Sequence, residues 1–312
     1  MALVATPILP NFGAEISGID IAKPLTAEDR ATVLAAQQRF GITVYRNTGL
    51  TDETHIAFSR NFGHVELAPA MAGRKGRFDR RELFDAGNLD VEGRIIENEM
   101  IRLHKKGDRL WHTDSSFMPI RSAYSLLLCH EAPAVGGQTW FADTRTAYED
   151  LPQAMKDRLE GLSARHSLWW SRKMAGYPFS EDEIDQRPHA VHPLVHVHAG
   201  SGRKALFIAA HARDIVGLPV EEGRALLSEL IAFATQPKYV FAISYKPGDL
   251  AIWDNLCSMH RGGDYDEAAE RRDMRRTTIR EGAPPSEPDD PFTELFHASG
   301  TTAFQPPAAP GR

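Results

Sequence analysis

A histidine and an aspartate two positions apart, His112 and Asp114, most constrain what this chain can fold into. Residues two apart project from the same face of a β-strand, so an imidazole and a carboxylate would lie side by side. His64 and Glu66 have the same spacing, so spacing alone does not identify a site. The first pair differs because a later segment, residues 252–263, runs from a strand-like stretch through a polar turn to His260.

Two histidines and one carboxylate form the facial-triad ligand set of non-haem Fe(II), which leaves coordination positions open. We therefore predict that His112, Asp114 and His260 bind Fe(II). A strand-like segment, residues 271–279, follows and carries four arginines. A guanidinium binds a carboxylate through a planar, bidentate fork, as an iron enzyme with a dicarboxylate co-substrate would require. No such partner set follows His64, which we interpret as structural.

Composition and charge exclude several classes of protein. The 42% hydrophobic and 25% charged residues are typical of a globular chain, and a net charge of −6 argues against nucleic-acid binding. No apolar run approaches the ~18 residues that span a bilayer, and the N-terminus lacks the order of a signal peptide. The two cysteines, Cys129 and Cys257, imply no disulfide framework. We expect a cytoplasmic protein with no nucleic-acid or membrane partner.

Short strands separated by Pro/Gly turns, without βαβ alternation, favour a mainly β fold with flanking helices, a jelly-roll double sheet. Segments 65–110 and 169–188 are predicted to be long loops, the first a candidate lid. We predict a domain over residues 1–281 and a Pro/Ala-rich tail over 282–312. Strands are predicted at 13–22, 42–45, 94–96, 123–128, 139–141, 191–198, 205–208, 239–244 and 250–253, and helices at 26–38, 52–62, 144–162 (two) and 220–235.

Four motifs follow one another in this chain: Trp-His-Thr-Asp-Ser-Ser-Phe (111–117), Gly-Gly-x-Thr (136–139), Trp-Asp-Asn-x-x-x-x-His (253–260) and Arg-Arg-x-Met-x-Arg-x-Thr (271–278). In this order they resemble the Fe(II)/2-oxoglutarate dioxygenases of the taurine dioxygenase family, especially its 2,4-dichlorophenoxyacetate (aryloxyalkanoate) branch. The resemblance extends from about residue 7 to 280 and implies a double-stranded β-helix, the cupin-like jelly roll. It also implies that O₂ and 2-oxoglutarate are consumed as a small substrate is hydroxylated. We expect a homo-oligomer.

The same resemblance assigns roles to further residues. Arg272 corresponds to the arginine that binds 2-oxoglutarate, and Thr139 supplies the partner hydroxyl. Arg276 corresponds to a position that holds the anionic group of the substrate. His198 and His211 match positions that line or support the substrate pocket, with a hydrogen-bonded core histidine as the alternative for each.

Two departures from the family pattern affect these roles. One extra residue follows His260, so counting would favour Arg271 over Arg272 as the 2-oxoglutarate arginine. We prefer Arg272 because a loop absorbs an insertion, whereas a one-residue strand slip reverses every side chain. We interpret Arg271 and Arg275 as a solvated basic face. Asp108 stands where an amide is usual, and we expect Lys105, Lys106 or Arg109 to compensate its charge.

We expect an anionic substrate, because Arg276 would otherwise be a buried, unpaired charge. An aryloxyacetate would be hydroxylated beside its ether oxygen and collapse to a phenol and glyoxylate. Taurine, an alkylsulfonate or a sulfate ester is the alternative within the same chemistry. A metal-binding jelly roll without oxygenase activity, or a zinc hydrolase, is the alternative from another class. For zinc, the segment with His189, His192, His196 and His198 lacks a cysteine or carboxylate to complete a site.

Overall fold

The computed structural model describes residues 3–68 and 76–282. The predicted tail lies outside the described residues from 283 onward, as does part of the predicted lid, 69–75, so the domain and tail boundary stays a prediction. The fifteen strands of the described part are β1 (Val4–Leu9), β2 (Phe12–Ser17), β3 (Ile42–Tyr45), β4 (Phe84–Asp85), β5 (Ser122–Glu131), β6 (Thr139–Asp143), β7 (Ser163–His166), β8 (Ala190–Pro193), β9 (Val195–Val197), β10 (Lys204–Leu206), β11 (Ala212–Ile215), β12 (Val240–Ile243), β13 (Leu250–Asp254), β14 (Ser258–Gly262) and β15 (Asp273–Arg280). Its eight α-helices are α1 (Ala27–Phe40), α2 (Asp52–Ser59), α3 (Glu99–Lys105), α4 (Thr144–Asp150), α5 (Gln153–Leu159), α6 (Leu168–Met174), α7 (Glu181–Asp185) and α8 (Val220–Ala234).

Two sheets face each other across the core that positions the site. The larger sheet has the strand order β1-β2-β3-β13-β5-β15-β4, and a second sheet has the order β12-β6-β14. Leu127, Trp253 and Met274 of the larger sheet pack in one buried cluster with Phe141 and Phe241 of the second. Side chains that interdigitate between two mainly antiparallel sheets form the double-sheet arrangement predicted from the sequence.

The helices begin where local capping signals place them. Thr26 caps α1 and forms a reciprocal capping box with Asp29, and Thr51 caps α2. Gly41 ends α1 at a φ of +71°, a left-handed conformation that glycine adopts without a steric penalty. Over the described residues, no helix combines the length and the apolar character needed to cross a membrane.

Several predictions of local structure are wrong. The strand expected over 13–22 ends at Ser17, and 94–96 makes only one bridge, between Ile95 and Leu89. The strand expected over 191–198 is divided between β8 and β9, and the loop expected over 169–188 contains α6 and α7. Ser167 caps α6, and Ser180 caps α7 in a capping box with Glu183. The capping residues are local sequence signals, but the two helices are too short to show the periodic apolar pattern by which a helix is predicted.

Substitution of Leu126 measures how much packing in the larger sheet contributes to the free energy of unfolding. It is fully buried on β5, opposite Ile252 of β13 and Thr277 of β15. We expect Leu126→Ala to lower the free energy of unfolding by about 2–5 kcal/mol, because the cavity it leaves cannot close within a paired sheet. Val135→Ala is the control, because Val135 is 80% exposed. Urea denaturation that shows the same stability for both variants would contradict this account.

Candidate metal centre and substrate cavity

Main-chain pairing brings His112 and His260 together. The two residues form an isolated antiparallel bridge, with His112 N–H donating to the His260 carbonyl at 2.9 Å and the reverse bond at 2.7 Å. Their ring centroids are 4.1 Å apart. The Nδ1 of His112 lies 2.7 Å from the Leu110 carbonyl oxygen. A carbonyl only accepts, so Nδ1 carries the proton and Nε2 is free to bind a metal.

Asp114 enters the same site from a turn, whereas the sequence had predicted a strand. The next residue, Ser115, has a φ of +53°, a left-handed conformation that is uncommon outside glycine. Asp114 Oδ1 lies 3.9 Å from His112 Nε2, and Asp114 Oδ2 lies 3.7 Å from His260 Nε2. The three side chains therefore converge although Asp114, unlike the two histidines, is not part of a β-bridge.

Hydrogen bonds from two strands orient the Asp114 carboxylate. Ser125 Oγ of β5 donates to Oδ2 at 2.7 Å, and Trp253 Nε1 of β13 donates to the same oxygen at 3.1 Å. Asn255 Oδ1 accepts from the Asp114 main-chain N–H at 3.0 Å, and Asn255 Nδ2 donates to Ser125 Oγ at 3.0 Å. The Oδ1 atom accepts from Arg276 Nη1. The carboxylate thus has a defined orientation before any metal binds.

The protonation states suit a divalent cation. Burial, with the neighbouring His112 and Arg276, lowers the pKa of His260 to about 3, so its imidazole is neutral. Burial opposes ionisation of Asp114, but Arg276, His260 and His112 hold its pKa well below the usual range. A neutral imidazole and an ionised carboxylate are the forms that bind metals.

The donor set fits Fe(II). One ligand atom from each of His112, Asp114 and His260 lies within 4.8 Å of the others, and all three residues are buried. Nitrogen and oxygen donors in a two-histidine, one-carboxylate arrangement match a non-haem iron site. The described residues contain one other group with this spacing: His198, Asp254 and Cys257. His64 belongs to neither group.

Thr139 and Arg272 both approach a buried tyrosine, Tyr245. Gly136, with a φ of +83°, begins the turn before Thr139, and a Cβ there would lie 2.1 Å from the Asp264 carbonyl oxygen. Burial raises the pKa of Tyr245 to about 12, while Thr139 and Arg272 both lower it. Among the described residues, the Tyr245 hydroxyl has no hydrogen-bond partner. An unsatisfied buried hydroxyl beside a guanidinium and a threonine fits the distal carboxylate of 2-oxoglutarate.

The other arginines of this segment differ in environment. Arg271 is half-exposed and pairs with Glu131 at 2.9 Å, as expected for a surface residue. Arg275 does not belong to a solvated face, because its side chain is only 20% exposed and pairs with Asp273 and Asp52. The main-chain N–H of Arg272 donates to Asn88 Oδ1 at 2.8 Å, and its guanidinium donates to the Ala86 carbonyl.

A cavity of about 840 Å³ opens beside the metal centre. His112, Asp114, His211 and Arg276 line it, together with several aromatic residues. Arg276 is paired with Asp114, so the argument that only a substrate anion could neutralise it is wrong. Its Nε, however, is buried and has no partner among the described residues, so the side chain keeps a donor available.

His211 and His198 have different environments. His211 lines the cavity 5.9 Å from His112, measured between ring centroids, and its buried Nδ1 has no partner among the residues described. Burial lowers the pKa of His211 well below the usual value, so its imidazole is neutral. His198 is not among the cavity residues: Nδ1 lies 2.8 Å from Ser201 Oγ and Nε2 lies 2.9 Å from Asp254 Oδ2. It is therefore a hydrogen-bonded core histidine, the alternative we had left open.

The remaining histidines of the 189–198 segment do not form a zinc site. His192 Nε2 lies 3.0 Å from the Met118 carbonyl oxygen, and His196 Nε2 lies 2.7 Å from that of Leu256. The segment is divided between two strands of different sheets, so these histidines bind separate parts of the core.

Asp108 is compensated by an arginine far away in the sequence. Its carboxylate lies 3.2 Å from Arg172, a residue of α6 that we had predicted to be in a loop. Partial burial opposes its ionisation, but Arg172, His112, Arg276 and Lys105 hold the pKa of Asp108 below its usual value. Of the three predicted compensating residues, Arg109 pairs instead with Asp264 and Glu267.

Comparisons with known proteins match nearly the whole chain. The model of the taurine catabolism dioxygenase TauD, TfdA family matches residues 5–278. An alpha-ketoglutarate-dependent 2,4-dichlorophenoxyacetate dioxygenase of Cupriavidus pinatubonensis is 39% identical, over 91% of this chain and 99% of its own. An (S)-phenoxypropionate/alpha-ketoglutarate-dioxygenase of Sphingobium herbicidovorans is 34% identical, over 85% of this chain and 91% of its own.

A solved structure confirms the predicted fold. The crystal structure of AAD-2 in complex with Mn(II) and N-oxalylglycine matches with a TM-score of 0.82 and 35% sequence identity. The match covers 92% of this chain and 100% of the AAD-2 chain. Together with the strand-rich architecture and flanking helices, this likeness confirms the jelly-roll fold class.

Ser125 and Trp253 were not predicted as site residues, and their effect on the metal centre can be measured. We expect Ser125→Ala and Trp253→Phe each to weaken metal binding by about 10- to 100-fold, because each removes a hydrogen bond that orients Asp114. Anaerobic calorimetric titration with Fe(II) would measure this. Trp170→Phe is the control, because Trp170 stacks on Arg224 away from the cavity. Unchanged affinity in both site variants would refute the orienting role.

Proposed function

This chain belongs to the taurine catabolism dioxygenase TauD, TfdA family and is a 2-oxoglutarate-dependent non-haem iron dioxygenase, and on that premise we propose that it hydroxylates aryloxyacetates. The observation that carries the substrate class is the cavity, in which Arg276 and His211 adjoin the triad and aromatic rings form much of the wall. Hydroxylation of the carbon beside the ether oxygen gives a hemiacetal, which collapses to a phenol and glyoxylate.

The charge and shape of the cavity support an anionic aryl substrate. Seven arginine and lysine side chains line it against five aspartate and glutamate side chains, so its wall is net positive. Phe84, Phe117, Trp169, Tyr177 and Phe179 supply flat, apolar surface for a ring. Arg276 stacks 5.0 Å from the Phe84 ring centroid, which places a guanidinium at the edge of that surface.

Separate groups of residues would bind the metal, the co-substrate and the substrate. His112, Asp114 and His260 would hold Fe(II), which with 2-oxoglutarate and O₂ supplies the oxidising chemistry and leaves succinate and CO₂. Arg272, Thr139 and the Tyr245 hydroxyl would bind the distal carboxylate of 2-oxoglutarate. Arg276 and the neutral imidazole of His211 would hold the substrate carboxylate by hydrogen bonds. The aromatic wall orients the ring and excludes water.

From the sequence we also propose that the protein acts in the cytoplasm and assembles into a homo-oligomer.

Arg272 and Arg271 form a matched pair for testing 2-oxoglutarate binding. We expect Arg272→Gln to raise the 2-oxoglutarate concentration for half-saturation by about 10- to 100-fold, because charge-assisted hydrogen bonds are worth about 1.5–3 kcal/mol. Arg271→Gln should change it less than about twofold, because that residue forms a surface ion pair. The readout is the visible charge-transfer absorption of the anaerobic Fe(II) complex. If Arg271→Gln instead had the larger effect on this concentration, the strand register that assigns 2-oxoglutarate binding to Arg272 would be wrong.

The substrate proposal is tested by phenol release from an aryloxyacetate and from its neutral amide. The wild type should oxidise the acid at least about tenfold more efficiently, and Arg276→Gln should remove most of that preference, because the amide needs no cation. Fe(II) affinity is measured in parallel, since Arg276 also contacts Asp114. Equal turnover of acid and amide by the wild type would contradict the proposal. Turnover of alkylsulfonates or sulfate esters in place of aryloxyacetates would favour the alternative.

A further inference from the structure

Arg187 lies in the wall of the large cavity, between two aromatic rings. Its guanidinium carbon is 5.3 Å from the ring centroid of Trp169 and 4.9 Å from that of Phe179. Both rings line the cavity as well. Stacking of this kind holds the plane of a guanidinium and leaves its N–H edge available for a ligand.

Arg187 differs from the other cations of the wall, each of which has a partner. These pairings are Arg77 with Asp85 and Asp273, Arg80 with Glu82, Lys105 with Asp85, Arg172 with Asp108, Arg276 with Asp114, and Arg81 with the Ala68 carbonyl. Within 3–68 and 76–282, the Arg187 side chain forms no ion pair and no hydrogen bond. Burial lowers the pKa of Arg187, whereas Glu183 and Tyr177 raise it by a smaller amount. A half-buried cation without a counter-ion calls for an anionic ligand.

Ring contacts place Arg187 at a distance from the metal centre. The His112 ring neighbours that of His211 at 5.9 Å, and the His211 ring neighbours that of Phe117 at 5.1 Å. Phe117 packs in the same buried cluster as Trp169, which in turn stacks on Arg187. Arg276, by contrast, touches the metal ligand Asp114 directly. The two cations therefore stack on different rings of one aromatic cluster, and of the two only Arg276 contacts a metal ligand.

We propose that Arg187 binds a second oxyanion of the substrate, so that the preferred substrates are aryl acids with an acidic group at each end. This rests on the proposed function, because it takes the ether carboxylate to lie at Arg276. The volume agrees: about 840 Å³ is near the upper end of the ~300–1,000 Å³ of cavities that hold drug-sized ligands. One carboxylate at Arg276 and one at Arg187 would orient the ring between them, with the ether carbon towards the metal.

The test compares phenoxyacetate with 4-carboxyphenoxyacetate. Binding to the protein loaded with Fe(II) and 2-oxoglutarate is measured by calorimetry without O₂, and turnover is then measured with O₂. We expect the diacid to bind at least about tenfold more tightly, and Arg187→Gln to weaken the diacid by about 10- to 100-fold with less than a twofold effect on the monoacid. Arg187→Lys, which keeps the charge, should retain part of the preference.

Arg224→Gln is the matched control. Arg224 stacks 4.2 Å from the ring centroid of the adjacent Trp170 but is absent from the cavity wall. Equal affinity of the wild type for the two acids would overturn the proposal, as would an Arg187→Gln effect that is the same for both acids. If Arg187→Gln does not fold, Arg187→Lys decides the question. A diacid preference in Arg187→Lys that equals that of the wild type would then count against the proposal. Arg187-dependent binding of the diacid without phenol release would instead refute the aryloxyacetate reaction alone.

Discussion

The buried carboxylate of Asp114 is the group on which the rest of the site depends. An ionised carboxylate without partners is costly inside a protein, so the surrounding strands must supply hydrogen bonds and positive charge. Ser125 on β5, Trp253 on β13 and Arg276 on β15 do so, and these strands are adjacent in the larger sheet. His260 approaches from β14 of the second sheet. One side chain therefore links both sheets, and the metal would complete that link.

Aromatic stacking holds two arginine side chains in the cavity wall. Arg276 stacks on Phe84, and Arg187 stacks on Trp169 and Phe179. An aromatic face attracts a guanidinium and lowers the entropy cost of holding it, yet consumes none of its N–H donors. A wall built this way offers apolar surface to a ring and fixed donors to its acidic groups. Arg172 adds to the positive field but is already paired with Asp108, so it contributes charge more than contact.

The sequence predicted the starts of α1 and α2 correctly, because helix capping depends on residues that are close together in the chain. The capping boxes at Thr26 and Thr51 depend on residues three apart, and the helices begin where those residues place them. The capping box at Ser180 is equally local, but the five-residue helix after it has too little periodicity to identify. His198 had two interpretations with equal support, and choosing between them required Asp254, which is 56 residues away. Arg275 was misjudged because its partner Asp52 lies 223 residues away.

The sequence by itself determined the chemical types of the site: two imidazoles, one carboxylate and a strand of arginines, in motifs whose order identifies the family. It also determined the double-sheet class, because short strands between Pro/Gly turns cannot form a βαβ fold. Only the tertiary structure decided which groups meet. The bridge between His112 and His260, the hydrogen bonds of Ser125 and Trp253 to Asp114, and the stacking of Arg187 on Trp169 are contacts between separate segments of the chain. Such contacts depend on strand register and packing, which no local pattern of residues encodes.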